Sequence, residues 1–190
     1  MKKILVLSSV VVSLFAFTTL TNWKSDKAHS QLGFSITHLG ISEVNGYFKN
    51  FDVNISSSKA DFSDAVFEVT ADINSVTTGI EMRDKHLGGP DFFNAEKNPK
   101  LSFKSTEIKA SGENKYKLTG NLTLNGITKA VTLDLWYRGT IENPMSKAPT
   151  SGFQATGIIK RSDFNLGSGF PAPMLSDEIK IKADGEFAKQ

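Results

Sequence analysis

Apolar and polar residues alternate with a period of two along most of the 190-residue chain, the pattern of strands that bury one face and wet the other. Leu32, Phe34, Ile36 and His38 oppose Gly33, Ser35 and Thr37. Tyr47, Phe51, Val53 and Ile55 oppose Phe48, Asn50, Asp52 and Asn54, and Ala65, Phe67, Val69, Ala71 and Ile73 oppose Val66, Glu68, Thr70 and Asp72. Leu101 and Phe103 stand against Ser102 and Lys104, after which the alternation weakens. Two long runs, Tyr116–Leu124 and Ile127–Tyr137, are separated only by Asn125-Gly126, a dipeptide that supplies the positive φ angles of a type I′ hairpin turn. Runs over 152–161 and 178–187, the latter with Ile179, Ile181 and Ala183 on one face, bring the total to about eight strands.

Residues 78–98 break this pattern. Thr78-Gly-Ile-Glu81 predicts a capping box, with Thr78 accepting from the amide of Glu81 and Glu81 reaching back. Gly88, Gly89 and Pro90 stop that helix soon after Leu87, and Asp91–Ala95 predicts a short helical turn before Pro99. The segment Asn143–Pro149 reads as an exposed connection and Gly167–Leu175 as a more apolar one. An even number of consecutive strands, each with one apolar face, makes a closed barrel or a two-sheet sandwich. Few prolines guard the strand edges, which favours closure. The expected fold is therefore all-β, an eight-stranded antiparallel barrel with a short helical insert. A barrel of that size encloses room for side chains or for one small ligand.

The N-terminus adds a destination. Lys2 and Lys3 precede an uncharged run from Ile4 to about Asn22, the layout of a secretory signal peptide. Its strongly apolar part, Ile4–Phe17, is shorter than the roughly 20 residues needed to span a bilayer. The expected organisation is a signal peptide over residues 1–22 and one β-barrel domain over 23–190, exported to the periplasm. The chain has 22 Lys and Arg against 20 Asp and Glu, so Lys2 and Lys3 account for the formal +2 and leave 20 of each sign. A near-neutral domain offers no electrostatic case for nucleic acid or an anionic membrane. There is no cysteine, hence no disulfide framework and no thiolate metal site, while about 165 residues can bury a sufficient core without staples.

Several motifs resemble the YceI-like family of polyisoprenoid-binding proteins, and the likeness covers nearly the whole domain. They are His29-Ser30, Phe34-Ser-Ile-Thr-His-Leu-Gly40, Val44-Asn-Gly-Tyr-Phe48, Ser75-Val-Thr-Thr-Gly79 and Arg83-Asp-Lys-His-Leu87. Asp91-Phe-Phe-Asn-Ala95, Pro99-Lys-Leu-Ser-Phe103, Leu118–Thr128 and Lys160-Arg-Ser-Asp-Phe-Asn165 complete the set. Each is weak alone; their order is specific. The resemblance implies an extended lipocalin-like barrel whose pore holds a long isoprenoid or fatty chain, a periplasmic location, and a tendency of such barrels to pair as homodimers. Asn165 stands where the family often has glycine, and Asn tolerates unusual backbone angles better than most residues.

On that basis the tail-binding candidates are Phe34 and Ile36 in the first run, Phe67 and Val69 in the third, and Phe103 in the fourth. Leu122, Leu133 and Leu135 from the hairpin and Phe153 from the next run join them, together with Phe92, Phe93 and Phe164 from connecting segments. The chain has 14 phenylalanines, and strand phenylalanines ordinarily just fill a core; in a barrel with a pore the same positions line it. Arg83-Asp84-Lys85-His86 is the densest polar cluster and reads in two ways. Arg83 and His86, three apart on one helical face, suit a ligand headgroup such as a phosphate; alternatively Arg83 and Asp84 clamp the insert to the barrel. His29, His38 and His86 match no compact metal motif, and no residue sits in a nucleophile setting, so neither metal, cofactor nor catalysis is expected. The rival readings are an enzyme on a lipid or quinone using His38, Arg83, Asp84 or His86, and a side-chain-filled structural barrel.

Overall fold

The computed structural model describes residues 19–190. The leader expected over 1–22 lies outside the described residues except for its last four positions, and Thr21 and Asn22 are paired in the first strand. The strands are β1 (Thr21–Ser25), β2 (Gln31–His38), β3 (Ser42–Phe48), β4 (Phe51–Ser57), β5 (Val66–Asp72), β6 (Val76–Thr77), β7 (Lys100–Gly112), β8 (Lys115–Leu124), β9 (Ile127–Glu142), β10 (Pro149–Lys160) and β11 (Leu175–Lys189); helix α1 (Glu81–Gly88) follows β6.

All eleven strands belong to one antiparallel sheet, and the β1–β11 pairing closes it. The result is an eight-strand barrel because three pairs of strands are interrupted single staves. The long β11 pairs with β1 through Phe187 and with β2 through Asp184, spanning the break at residues 26–30. Strands β3 and β4 continue one another against β2 and β1, and β6 continues β5 after a 3-10 turn at Ile73–Ser75.

The break between β3 and β4 corrects one expectation. Phe48 and Phe51 both point inward and Tyr47 outward, at 6%, 7% and 41% exposure, whereas strict alternation groups Tyr47 with Phe51. Lys49 and Asn50 form a one-residue irregularity in which the Lys49 amide donates to the Ser75 carbonyl and the Asn50 amide to the Ser75 hydroxyl. One extra residue moves every following side chain to the other face. Bulges at Ser105/Glu107 and Ala110/Gly112 explain in the same way why the alternation fades after Phe103. At Asn125-Gly126 both φ angles are positive, 49° and 73°, as the hairpin requires. Asn165 is left-handed at φ 52°, the conformation in which it replaces glycine.

Helix α1 forms, but not through the expected capping box. Ile80 is its N-cap with no side-chain bond, because the Thr78 hydroxyl is taken by Asp84 and Arg83 rather than by the Glu81 amide. Residues 91–95 are turns, not a helical turn: the amides of Phe93, Asn94 and Ala95 fold back onto the carbonyls of Leu87, Gly89 and Gly88.

The barrel has two unlike ends. At the end where β4, β8 and β10 meet their neighbouring loops, aromatic rings interlock: Phe62 lies 5.3 Å from Trp23, 5.0 Å from Tyr137 and 4.9 Å from Phe153, and Phe153 lies 5.4 Å from Phe67 and 5.6 Å from Phe187. Phe62 is 1% exposed. Its loop is held by the Tyr116 hydroxyl donating to the Asp61 carbonyl, and by Asp64 accepting from Ser57, Ser58 and the Lys59 amide. Burial pushes the Asp64 carboxyl up, but these hydrogen bonds outweigh it and hold the pKa at about 2. This end is closed.

Candidate functional site

Beyond the aromatic plug the barrel is hollow. Leu32, Phe34, Val69, Leu122, Val131 and Leu133 pack against the core yet remain partly accessible, which on inward-facing positions means that solvent-sized space lies in front of them. That space is a cavity of about 450 Å³ running from the plug to the opposite end. Its wall follows the strand register: Phe34 faces Ile181 across the ladder, Ile36 faces Val44 and Ile179, Phe103 faces Val69 and Leu122, and Ala155 faces Leu135.

Two glycines keep the bore open. A Cβ on Gly120 would stand 2.5 Å from Cζ of Phe103, and one on Gly46 would collide with the ring of Phe34. The absent side chains let both rings lie flat against the wall. Polar groups on the wall are few, since alternation sends Lys, Asp and Thr outward.

The open end carries a cap made from two segments, residues 78–98 and 161–174. Gly167 donates its amide to the Asp91 carbonyl at 2.7 Å, Phe92 stacks on Phe170 at 5.3 Å, and the His86 ring meets both edge-on at 5.1 and 5.7 Å. Asn98 donates to the Asn125 side chain, which donates in turn to the Phe164 carbonyl; the β8–β9 turn is thus stitched to both cap segments. Arg161 anchors the second segment. It is buried, makes no ion pair among the described residues, and its guanidinium donates to the carbonyls of Leu166, Gly167, Phe170, Leu175 and Ser176. All five guanidinium donors are thereby satisfied.

Arg83 and Asp84 fasten α1 to β6. Asp84 accepts from the Thr77 hydroxyl at 2.8 Å and the Thr78 amide at 2.7 Å, and Arg83 donates through Nε to the Thr78 hydroxyl at 2.7 Å and through Nη2 to its carbonyl at 3.0 Å. Burial raises the Asp84 pKa, but the threonine hydrogen bonds and the Arg83 charge bring it below the ordinary carboxylate value. The clamp reading of this pair describes these contacts. Arg83 also lines the cavity, as do His86 and Thr78 beside it. His86 is exposed, and its Nε2 lies 3.5 Å from Asp91 Oδ2.

The cavity brings together Phe34, Ile36, Phe67 and Val69, then Phe92, Phe93 and Phe103, then Leu122, Leu133, Leu135 and Phe153, with Arg83 and His86 at its mouth. Phe164 is the exception. It is 1% exposed and does not line the cavity, because the 3-10 turn Arg161–Phe164 tucks it into the packing under the β8–β9 turn. Sequence reasoning did not place His38, Phe48, Met174, Leu175 or Arg161 on the wall. Phe48 was hidden by the phase break; Arg161 lay inside a motif that carried no signal for its burial. The three histidines do not converge: His29 pairs with Asp26 at 2.8 Å beside Glu186, on the surface between β1 and β2.

Residues 23–187 match the YceI-like domain. A UPF0312 protein of Serratia proteamaculans is 39% identical over 99% of this chain and 98% of its own. Among solved structures, the Campylobacter jejuni YceI protein is 35% identical with a TM-score of 0.74, covering 87% of this chain and 96% of that one. A polyisoprenoid binding domain from Saccharophagus degradans has the same fold, with a TM-score of 0.69 over 90% of this chain and all of that one at 18% identity. With the family match spanning nearly the whole described chain and a relative 39% identical over almost its full length, the chain belongs to the YceI-like family.

Proposed function

We propose that the chain is an exported, periplasmic binding protein that holds the tail of a long apolar lipid, a polyisoprenoid or fatty chain, in the barrel cavity for carriage or sequestration, without chemistry on it. The observation that carries this reading is the hollow half of the barrel: a cavity walled by aliphatic and aromatic side chains and capped at one end by Phe92, Phe170 and His86. Burying each methylene yields about 0.8 kcal/mol, so a tail of ten or more methylenes offsets the cost of association without a charged contact. The name of the Saccharophagus structure, a polyisoprenoid binding domain, supports the same ligand class.

A headgroup left at the mouth would meet Arg83, Thr78 and His86. Arg83 keeps Nη1 unused by protein hydrogen bonds among the described residues, which suits a phosphate or carboxylate oxygen. The test is organic extraction of the purified protein followed by mass spectrometry, with titration of polyprenyl and fatty chains into the delipidated barrel. Recovery of a long-chain lipid, or saturable binding of one, is the expected result; a protein that is empty and refuses both ligand types overturns the reading. Turnover of a bound lipid that disappears in His86→Ala would instead establish an enzyme.

A further inference from the structure

The segments that rim the open end differ from those at the closed end in a way the barrel core does not require. The β2–β3 turn, Leu39-Gly40-Ile41, and the second cap segment, Gly167–Leu175, contain no charged residue. The closed-end loops carry Lys59, Asp61 and Asp64, Glu113, and Lys147. Apolar side chains protrude from the open-end segments into water: Ile41 is 86% exposed, and Leu39 and Met174 are exposed as well. Met82 on α1, at 84%, and Ile80 before it are exposed too; β6 runs antiparallel to β3 and so leads the chain toward the open end, where α1 lines the cavity together with His38 and Met174.

These segments converge on the cavity mouth. The Leu39 amide donates to the Met174 carbonyl at 3.0 Å, Met174 and His38 line the cavity, and Arg83, His86 and Leu87 line it from α1. The β2–β3 turn is also unusual in composition. Leu39 and Gly40 have φ angles of 53° and 72°, and the Ile41 amide closes the turn on the His38 carbonyl. A tight turn with positive φ at both central residues ordinarily takes Asn, Asp or Gly at the first of them. A leucine there spends backbone comfort on an exposed apolar tip.

We propose that this rim is a membrane-docking surface, by which the open end inserts Leu39, Ile41, Ile80, Met82 and Met174 into the interfacial layer of a lipid bilayer, so that a tail passes into the cavity without entering bulk water. The inference rests on the lipid-binding reading above. Each methylene exposed to water during transfer slows it by about fourfold, which makes aqueous escape of a long chain extremely slow and direct contact the faster route. Two of the rim segments carry no charge and α1 beside them carries two of each sign, Glu81 and Asp84 against Arg83 and Lys85, so the rim has no net charge to favour an anionic surface and suits a zwitterionic bilayer and insertion by apolar contact.

The test uses the mature chain, phosphatidylcholine vesicles and a fluorescent hexadecyl-chain fatty acid. Transfer of the probe from vesicles to protein should quicken as vesicle concentration rises and change little with salt. The double variant Ile41→Glu/Met82→Glu should slow transfer about tenfold or more and lose vesicle co-flotation, while its equilibrium titration with the free probe and its melting temperature stay unchanged. Ile141→Glu/Met145→Glu, at the end of β9 and on the β9–β10 connection at the closed end, should transfer normally. A rate independent of vesicle concentration, or equal in the Ile41/Met82 variant, overturns docking while leaving lipid binding intact. Sedimentation showing that the rim pairs two copies, undone by the same variant, overturns it in favour of a dimer interface. If the free probe does not bind at all, the lipid-binding reading fails for this chain type and docking falls with it.

Discussion

Gly46 shows how a single missing side chain shapes the cavity. It stands opposite Phe34 in the β2–β3 ladder, and the phenyl ring lies over it. Gly46→Ala should push that ring toward the lumen, costing about 1–3 kcal/mol as overpacking does and weakening the binding of long tails more than short ones; a chain-length series titrated into both proteins measures the difference. Asp64 illustrates the opposite kind of residue, remote from the cavity but charged with holding the plug loop. Its folded pKa of about 2 lies below the ordinary 3.8, so the stability it contributes is complete above the unfolded value and is lost as pH falls toward the folded one. The melting temperature should therefore drop between about pH 4 and pH 2, and Asp64→Asn should be less stable at neutral pH with a flatter acid limb. Glycines and aspartates are visible in any sequence, yet neither role was: a ring lying on Gly46 is a cross-strand relation, and the partners of Asp64 converge only when the loop closes.

Elements convert these residues into a cap. Segment 161–174 has no regular structure beyond one 3-10 turn, and five carbonyl acceptors on one guanidinium hold it over the mouth. A lysine offers a point charge with three donors and cannot match the planar fork. Arg161→Lys should thus leave carbonyls unpaired, destabilise by about 2–4 kcal/mol, and raise the ligand dissociation rate; hydrogen exchange at Phe170 and stopped-flow displacement of a fluorescent tail read these separately. At this scale the sequence was most legible where local chemistry decides. Asn125-Gly126 dictates its hairpin, and Gly88-Gly89-Pro90 ends α1, because turn and stop signals act within a few residues. The capping box failed because Asp84 outcompeted Glu81 for Thr78, a contest between two nearby acids that spacing alone does not rank.

For the whole molecule, the division into a filled end and a hollow end makes opposite demands on apolar side chains. Phe62→Ala would open a void in the plug and should cost about 3–5 kcal/mol. Leu133→Ala, facing space that already exists, should cost less than about 2 kcal/mol while widening the bore and loosening short tails; chemical denaturation and ligand titration of the two variants test the contrast. Alternation every second residue determined which side chains face inward, and so determined an all-β barrel and most of its cavity wall, because side-chain direction in a strand is set by backbone geometry alone. Only the tertiary structure decided whether an inward residue meets another side chain or open space. Phe67 and Phe153 read alike with Phe103 and Phe34 along the chain, yet the first two join the interlocked rings and the last two lie flat over glycines on neighbouring strands. The strand phase at Lys49–Asn50, the exclusion of Phe164 from the cavity and the burial of Arg161 were likewise settled by partners 5 to 39 residues away, since packing depends on which segments closure brings together and no alternation pattern encodes that.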